Sequence, residues 1–314
     1  MAKVITAPAK INLFFEVLRR GTDGYHEIES LVTGISLADT LLFEIRQDEK
    51  VTLRVESVGM AAEPRFPTTP IPDDETNLAV RAARLLQRQT CRKLCGVNII
   101  LQKRIPACAG LGGGSSDAAA VLRVLNEIWE LGLASSELAS LGLGLGCDVP
   151  LFLSEFPVIC TGRGEVLHPV MDSAVFPTLY MVLIQPWKGL STAEVYRNCL
   201  PRTSVTEEAD GSTASIPALL EAWRKNRSED FAANLYNRLE TPAQRLLPEL
   251  REIRTTLTKL EPPCVGASMT GSGSACFAVY WDEVSAQAAA EQLRKQALGM
   301  VWVVQSWVGS QACR

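Results

Sequence analysis

Pro106-Ala107-Cys108-Ala109-Gly110-Leu111-Gly112-Gly113-Gly114-Ser115-Ser116-Asp117-Ala118-Ala119-Ala120 sets four glycines and two serines directly in front of a strong helical pattern. Glycine has no Cβ, so Gly110, Gly112, Gly113 and Gly114 can take positive φ and turn several N–H groups onto one anion. Val121, Leu122, Val124, Leu125, Ile128 and Trp129 give the following helix a buried face, Ser115 or Ser116 supplies its cap, and Gly132 its stop. A helix N-terminus behind such a loop is expected to hold phosphate. The spacing is neither GxxxxGK[ST] nor the dinucleotide GxGxxG, so a third kind of phosphate loop is indicated. A flexible glycine linker is the competing reading. The strand-like Val97-Asn98-Ile99-Ile100-Leu101 before the loop and the helix after it weigh against that.

Outward from the loop, the chain reads as a globular protein of one large or two ordinary domains: 314 residues, 47% of them apolar. A formal charge of −4 and a pI near 5.5 leave no basic footprint for nucleic acid. Nine cysteines, an odd number without a CxxC pair, read as reduced and mostly buried thiols. With His26 and His168 the only histidines, no zinc site and no other protein-held metal is expected. No apolar signal region opens the chain and its longest uncharged run is too rich in Gly, Ser and Pro to cross a bilayer. The expectation is a cytoplasmic protein, or a stromal one after loss of a transit peptide, with no membrane partner.

Val4–Ala7 and Ile11–Leu18 read as strands separated by Pro8, in an opening hairpin, with Gly21-Thr22-Asp23-Gly24 as a turn. Two more strands fall between 35 and 56, and the proline-rich 63–74 is a surface loop. Helical spacing covers 77–89, 136–142, 192–199, 216–225, 230–236, 246–260 and, at the end, 284–296; 179–185 and the flanks of a glycine turn within 265–281 read as strands. The sheet-rich start and intermixed helices indicate α+β, with a second domain from about Thr161.

Phosphoryl transfer to a hydroxyl needs phosphate grips, a cation against developing charge and a base or orienter for the nucleophile. Lys10, in Ala7-Pro8-Ala9-Lys10-Ile11-Asn12-Leu13, is a lone cation between strand-like stretches; it reads as a stabiliser of the transferred phosphoryl or as an ordinary surface lysine. Asp148 is the only charge between Leu138 and Ser154, and reads either as a general base or as a cap before Pro150. Gly266–Cys276 is a small-residue turn, either a close approach to ligand or a tight hairpin.

These three segments, in this order and spacing, resemble motifs one, two and three of the small-molecule kinases named after galactokinase, homoserine kinase, mevalonate kinase and phosphomevalonate kinase, the GHMP kinases. The likeness spans nearly the whole chain. Pro8 to Leu13, Asp23-Gly24-Tyr25-His26, Gly110 to Asp117 and Gly146-Cys147-Asp148-Val149-Pro150 are most similar to the branch whose acceptor is 4-diphosphocytidyl-2-C-methyl-D-erythritol. The resemblance implies the two-domain GHMP fold, residues 1–160 and 161–314, with the active site in the cleft between them. It implies transfer of the γ-phosphoryl of ATP to the acceptor's 2-hydroxyl, in the non-mevalonate route to isoprenoid precursors, with Mg²⁺ held by ATP, water and at most a loop serine.

In the same carry-over Asp148 is the base and Lys10 its cationic partner. Pro106, Gly110, Leu111, Gly112, Gly113, Gly114, Ser115 and Ser116 line the ATP phosphates, and Asn77 and Lys103 lie near the adenosine. Tyr25 and Tyr196 sandwich the cytosine, while Asn12, His26 and Thr192 address the base or diphosphate. Stacking a base on a flat ring is worth roughly 1–3 kcal/mol. The expected assembly is a monomer or weak homodimer. The alternatives are another GHMP acceptor, homoserine or mevalonate, or a ligand-sensing relative without turnover. Tyr25-His26 argues against the first, and Lys10 with Asp148 against the second.

Overall fold

Residues 7–17 are buried without a break, which makes β1 (Ala2–Arg20) the strand around which the rest is arranged. The computed structural model describes residues 2–21, 26–59, 71–89, 93–170, 175–199 and 213–307. β2 (His26–Ile45) runs antiparallel to β1 along nearly its whole length. The sequence predicts two strands parted by Pro8, whereas the structure has one. Proline brings no N–H to a ladder, and the register slips between Pro8 and Ala9, so the missing donor falls at a bulge and the strand continues.

β3 (Val51–Ser57), α1 (Leu78–Gln87), β4 (Val97–Lys103), α2 (Gly113–Ile128) and α3 (Ser135–Leu143) follow, then a hairpin of β5 (Val158–Thr161) and β6 (Val166–Pro169). Strand order in this first sheet is β3-β4-β2-β1-β8, the last being Tyr236–Asn237; β5 joins β2 at Ser30–Val32 and carries β6. Leu86 of α1 and Leu122 of α2 share a core with Leu41, Phe43, Ile99 and Leu101 of the sheet.

The second sheet has the order β11-β7-β10-β9, from β7 (Tyr180–Pro186), β9 (Gly266–Met269), β10 (Cys276–Tyr280) and β11 (Gly299–Gln305). Its two faces separate by the period of two. Met181, Leu183, Phe277 and Val279 meet Ala9, Ile11 and Leu13 of β1, with Trp223 of α5 (Ile216–Arg224) and Phe231 of α6 (Ser228–Asn234), in one core. Val182, Ile184, Cys276 and Ala278 face α7 (Glu240–Leu246), α8 (Glu249–Leu257) and α9 (Glu283–Lys295) in another. α4 (Thr192–Arg197) lies between β7 and α5 in sequence.

Two expectations change. The helix predicted over 246–260 is the shorter α8, which starts behind Pro248, and α7 precedes it where no helix was expected: a proline has no N–H to continue a helix and is at home opening the next, so the two stay separate at Leu247-Pro248. The chain also passes beyond α9 into β11, which pairs with β7 through all seven of its residues, the β-favouring Val301-Trp302-Val303-Val304 among them.

Candidate active site

α2 begins at Gly113, with Gly112 as its N-cap at φ 72° and Gly110 at φ 75°. Positive φ is therefore spent at Gly110 and Gly112, and also at Cys108 (φ 54°). Gly113 and Gly114 are helical, contrary to the sequence expectation, and Ser115 and Ser116 lie in the first turn instead of capping it. The left-handed Gly112 starts the helix before either serine is reached. The first intrahelical bond is from Ser116 N–H to Gly112 O at 3.0 Å, so the preceding N–H groups have no helical acceptor and face the loop side. Gly113 is needed because a Cβ there would stand 2.9 Å from Ile105 Cγ2.

The loop is fastened to both sheets. Lys10 N–H donates to Leu111 O at 3.0 Å, and Ala275 N–H donates to Ala109 O at 3.2 Å. Beside this contact Asn12 N–H donates to Thr270 Oγ1 at 3.1 Å, and Asn12 Nδ2 donates to Ser30 Oγ at 2.8 Å. Asn237 Nδ2 holds Met269 O and Gly271 O at 2.7 and 2.9 Å. The small-residue turn after β9 is thus drawn against the loop and β1, and Gly271 and Ser272 border the cavity.

Lys10, expected at a surface, is 5% exposed and donates to Asn12 Oδ1. Burial pushes its ammonium below the usual lysine range, with the negative charge of Asp148 pulling the other way. Asp148 itself is exposed in the turn leading into the short 3₁₀ segment Pro150–Leu153. That segment is capped by Val149 without a side-chain bond, and the Asp148 carboxylate accepts no hydrogen bond among the described residues.

Lys103 lies in an ion cluster: its Nζ donates to Asp39 Oδ2 and, at 2.8 Å, to Asp117 Oδ2. Asn77 caps α1, accepting from Ala79 N–H at 2.9 Å and donating to Pro72 O at 2.6 Å. Thr192 and Ser272 share a hydroxyl hydrogen bond of 2.8 Å. His26 lies against Tyr196, ring centroids 5.2 Å apart and planes tilted by 32°. Burial, with the positive charge of Arg20 second, lowers the His26 pKa; burial raises that of Tyr196. Both rings are therefore neutral at pH 7.

One cavity of about 1190 Å³ is lined by Lys10, Asn12, His26, Asn77, Lys103, Pro106, Gly110, Leu111, Gly112, Gly113, Gly114, Ser115, Asp148, Thr192 and Tyr196. Ser116 is buried inside α2 and does not reach it. Tyr25 lies outside the described residues, as do most of the proline-rich loop and Asp23-Gly24. Sequence reasoning gave no role to Asp39 or Asp117. The available signal was a single acid in the apolar run Gly34–Leu42, and an acid inside the phosphate motif itself. Among the described residues no helix is long and apolar enough to cross a membrane, and no group of three His, Cys, Asp or Glu is placed to hold a metal.

The profile of the GHMP kinases N terminal domain matches residues 77–155, and that of the GHMP kinases C terminal matches 216–298. A 4-diphosphocytidyl-2-C-methyl-D-erythritol kinase of Shouchella clausii is 40% identical over 276 residues, covering 88% of this chain and 84% of that protein. One from Pelotomaculum thermopropionicum is 39% identical over 294 residues, 93% and 94% of the two chains. A crystal structure of 4-(cytidine 5'-diphospho)-2C-methyl-D-erythritol kinase superposes with a TM-score of 0.76 at 35% identity, covering 99% of this chain and 100% of that one. A homoserine kinase from Cytophaga hutchinsonii shares the fold at 17% identity, with a TM-score of 0.73. With both GHMP profiles matched and such relatives aligned along most of its length, the chain belongs to the GHMP kinases, in the 4-diphosphocytidyl-2-C-methyl-D-erythritol kinase family.

Proposed function

We propose that the chain transfers the γ-phosphoryl group of ATP to the 2-hydroxyl of 4-diphosphocytidyl-2-C-methyl-D-erythritol, in the cytoplasm, on the non-mevalonate route to isoprenoid precursors. The observation that carries this is the shared cavity: the α2 N-terminus, Lys10, Asp148 and the His26–Tyr196 pair all line it. A division at residue 160 puts the phosphate loop in an N-terminal part and Thr192, Tyr196 and Ser272 in a C-terminal part, both of which line the cavity, although the β5–β6 hairpin that spans this point stays with the first sheet.

ATP phosphates are held by the N–H groups at the start of α2 and by the dipole of that helix. Asp148, solvated and without a competing hydrogen bond, accepts the proton of the acceptor hydroxyl as the oxygen attacks the γ-phosphorus. Lys10 is fixed by Asn12 and its charge opposes the negative charge gathering on the phosphoryl oxygens, in a site where burial makes each charge count for more than in water. His26 and Tyr196 offer the neutral faces and edges suited to a pyrimidine; the hydrogen bonds of His26 supply the discrimination that stacking lacks.

Mg²⁺ fits the donor set only as an ion carried largely by phosphate and water. Of the hard oxygens lining the cavity near the loop, the Asp117 carboxylate is engaged by Lys103 and the Ser272 hydroxyl by Thr192, which leaves the Ser115 hydroxyl and the Asp148 carboxylate, too few for a cage made by the protein alone. When bound, the ion supplies neutralising charge to the phosphates.

The direct test is ADP release with ATP and Mg²⁺, comparing the cytidine compound with homoserine, mevalonate and galactose. Turnover confined to the cytidine compound supports the reading; turnover only with another acceptor discards the cytosine site; ATP binding without any turnover favours a sensing role.

Two further outcomes are expected. The acceptor KM is expected to stay flat through neutral pH and to rise only below the ordinary imidazole range, because neutral His26 is the form the lowered pKa maintains and protonation at lower pH removes its acceptor nitrogen. The sign for stability is the same: a depressed imidazole pKa favours the fold above the unfolded value and loses that contribution as pH falls. A His26→Ala enzyme retaining the same pH profile would refute the assignment. Cys108 is the exposed thiol among the four that line the cavity; burial raises Cys147, Cys160 to about 12 and Cys199 to about 11. Iodoacetamide is expected to inactivate through Cys108 first, with ATP protecting. Full alkylation of Cys108 with turnover unchanged removes that thiol from the loop's working surface.

A further inference from the structure

Behind the first turn of α2, three side chains that the phosphoryl-transfer scheme does not use are buried against one another. Asp39 of β2 is fully buried; its Oδ1 accepts the N–H groups of Arg104 at 2.6 Å and Ile105 at 2.9 Å, and its Oδ2 accepts from Lys103 Nζ. Asp117, in the second turn of α2, accepts from the same Nζ through Oδ2 at 2.8 Å. Its Oδ1 is buried with no partner among the described residues. The cluster joins β2, the end of β4 and α2, so the strand before the phosphate loop and the helix after it are locked to one ammonium group.

Two carboxylates and one ammonium leave an excess negative charge in the interior, which is costly. Burial, with the Asp39 charge adding to it, holds the Asp117 carboxyl up to about 7 against the pull of Lys103. A fold that needed only mechanical bracing here could use apolar side chains, which pack at least as favourably. The arrangement makes sense if the ammonium itself is wanted at this point. An ammonium has three donors. Two are taken by Asp39 and Asp117, and the third has no partner among the described residues. Nζ borders the cavity and lies 3.2 Å from where a Cβ on Gly113, the first residue of α2, would stand.

Resting on the reading of this cavity as an ATP site, we propose that Asp39 and Asp117 are positioning residues that aim the remaining N–H of Lys103 at an oxygen of the nucleotide's phosphates beside the α2 N-terminus, and not at the adenosine near which the family resemblance puts that lysine. A free lysine would give up rotamer freedom on meeting the nucleotide; one held by two carboxylates has done so on folding. Asp39 does not line the cavity; Asp117 borders it with Oδ2 engaged by Lys103, and the effect of each is on where the lysine donor points.

The experiment measures KM for ATP and for the cytidine acceptor separately, together with ATP affinity by equilibrium titration and Tm. Asp117→Ala is expected to weaken ATP binding roughly 10- to 100-fold, the loss of one misdirected charge-assisted hydrogen bond, with acceptor KM unchanged. Asp117→Asn, which keeps an acceptor oxygen for Lys103, restores most of the affinity. Should Asp117→Ala fail to fold, Asp117→Leu fills the space with an apolar side chain and leaves Lys103 paired one to one with Asp39. It is expected to melt near the wild type while ATP affinity stays low. Wild-type ATP affinity in either variant, or both KM values moving together in step with Tm, overturns the inference alone. Wild-type protein that neither binds ATP nor turns over overturns the functional reading and this inference with it.

Discussion

Asp148→Asn is expected to leave ATP binding intact and to lower kcat by roughly 10²- to 10⁴-fold, the contribution of a positioned general base. The change is nearly isosteric, and Asp148 is exposed with no hydrogen bond among the described residues, so neither packing nor a structural bond is lost and Tm should stay at the wild-type value. What disappears is the oxygen able to take the hydroxyl proton, along with the negative charge that works against the desolvation of Lys10. Single-turnover measurement at saturating ATP and acceptor reads the chemical step directly. An unchanged rate would exclude Asp148 as the base and would leave phosphoryl transfer here to positioning and electrostatics alone.

The second large effect is expected at Gly110. An alanine there must hold φ 75°, and its Cβ would stand 2.3 Å from the backbone oxygen of Thr270. The left-handed conformation alone costs about 1–2 kcal/mol for a residue with a side chain. The clash adds to it because backbone, unlike a side-chain tip, cannot swing aside: Thr270 N–H is tied to Ala275 O and its hydroxyl to Asn12. Gly110→Ala is therefore expected to lose roughly 2–4 kcal/mol of stability and to push the phosphate loop off the Gly271–Ser272 turn, raising the ATP KM. Gly132→Ala separates the two causes. Gly132 has φ 68° but open space around it, so it bears strain without crowding, about 1–2 kcal/mol with the ATP KM unchanged. Chemical denaturation of both variants gives the comparison; equal losses in the two would show that the contact with Thr270 contributes nothing.

The phosphate loop was legible because its information is local. Glycine count, the apolar face of α2 and the strand in front of it are all properties of neighbours in the chain, and α1, α5 and α9 begin and end within two residues of their sequence positions for the same reason. The exact helix start was not, since a left-handed Gly112 makes a serine cap unnecessary, and that depends on how the loop is pulled onto Lys10 and Ala275. Resemblance to a family carried Lys10, Asp148, His26 and Tyr196 as candidates, where residue type alone favoured a surface lysine or left a cap open.

The α+β class, the phosphate loop with its helix and the family are thus carried by residues near one another in the chain. Where charge and contact converge is settled by the packing of distant segments. Lys10 is buried because the strand around it is covered on both faces, Asp148 reaches the same cavity from a turn 138 residues later, and His26 meets Tyr196 across 170 residues. Asp39 and Asp117 are far apart in the chain and become a pair only when β2, β4 and α2 close on one ammonium. Periodicity reports which face of an element is apolar, but the electrostatic environment of a side chain is set by groups distant in sequence, and those are brought into range only by the packing of the sheets.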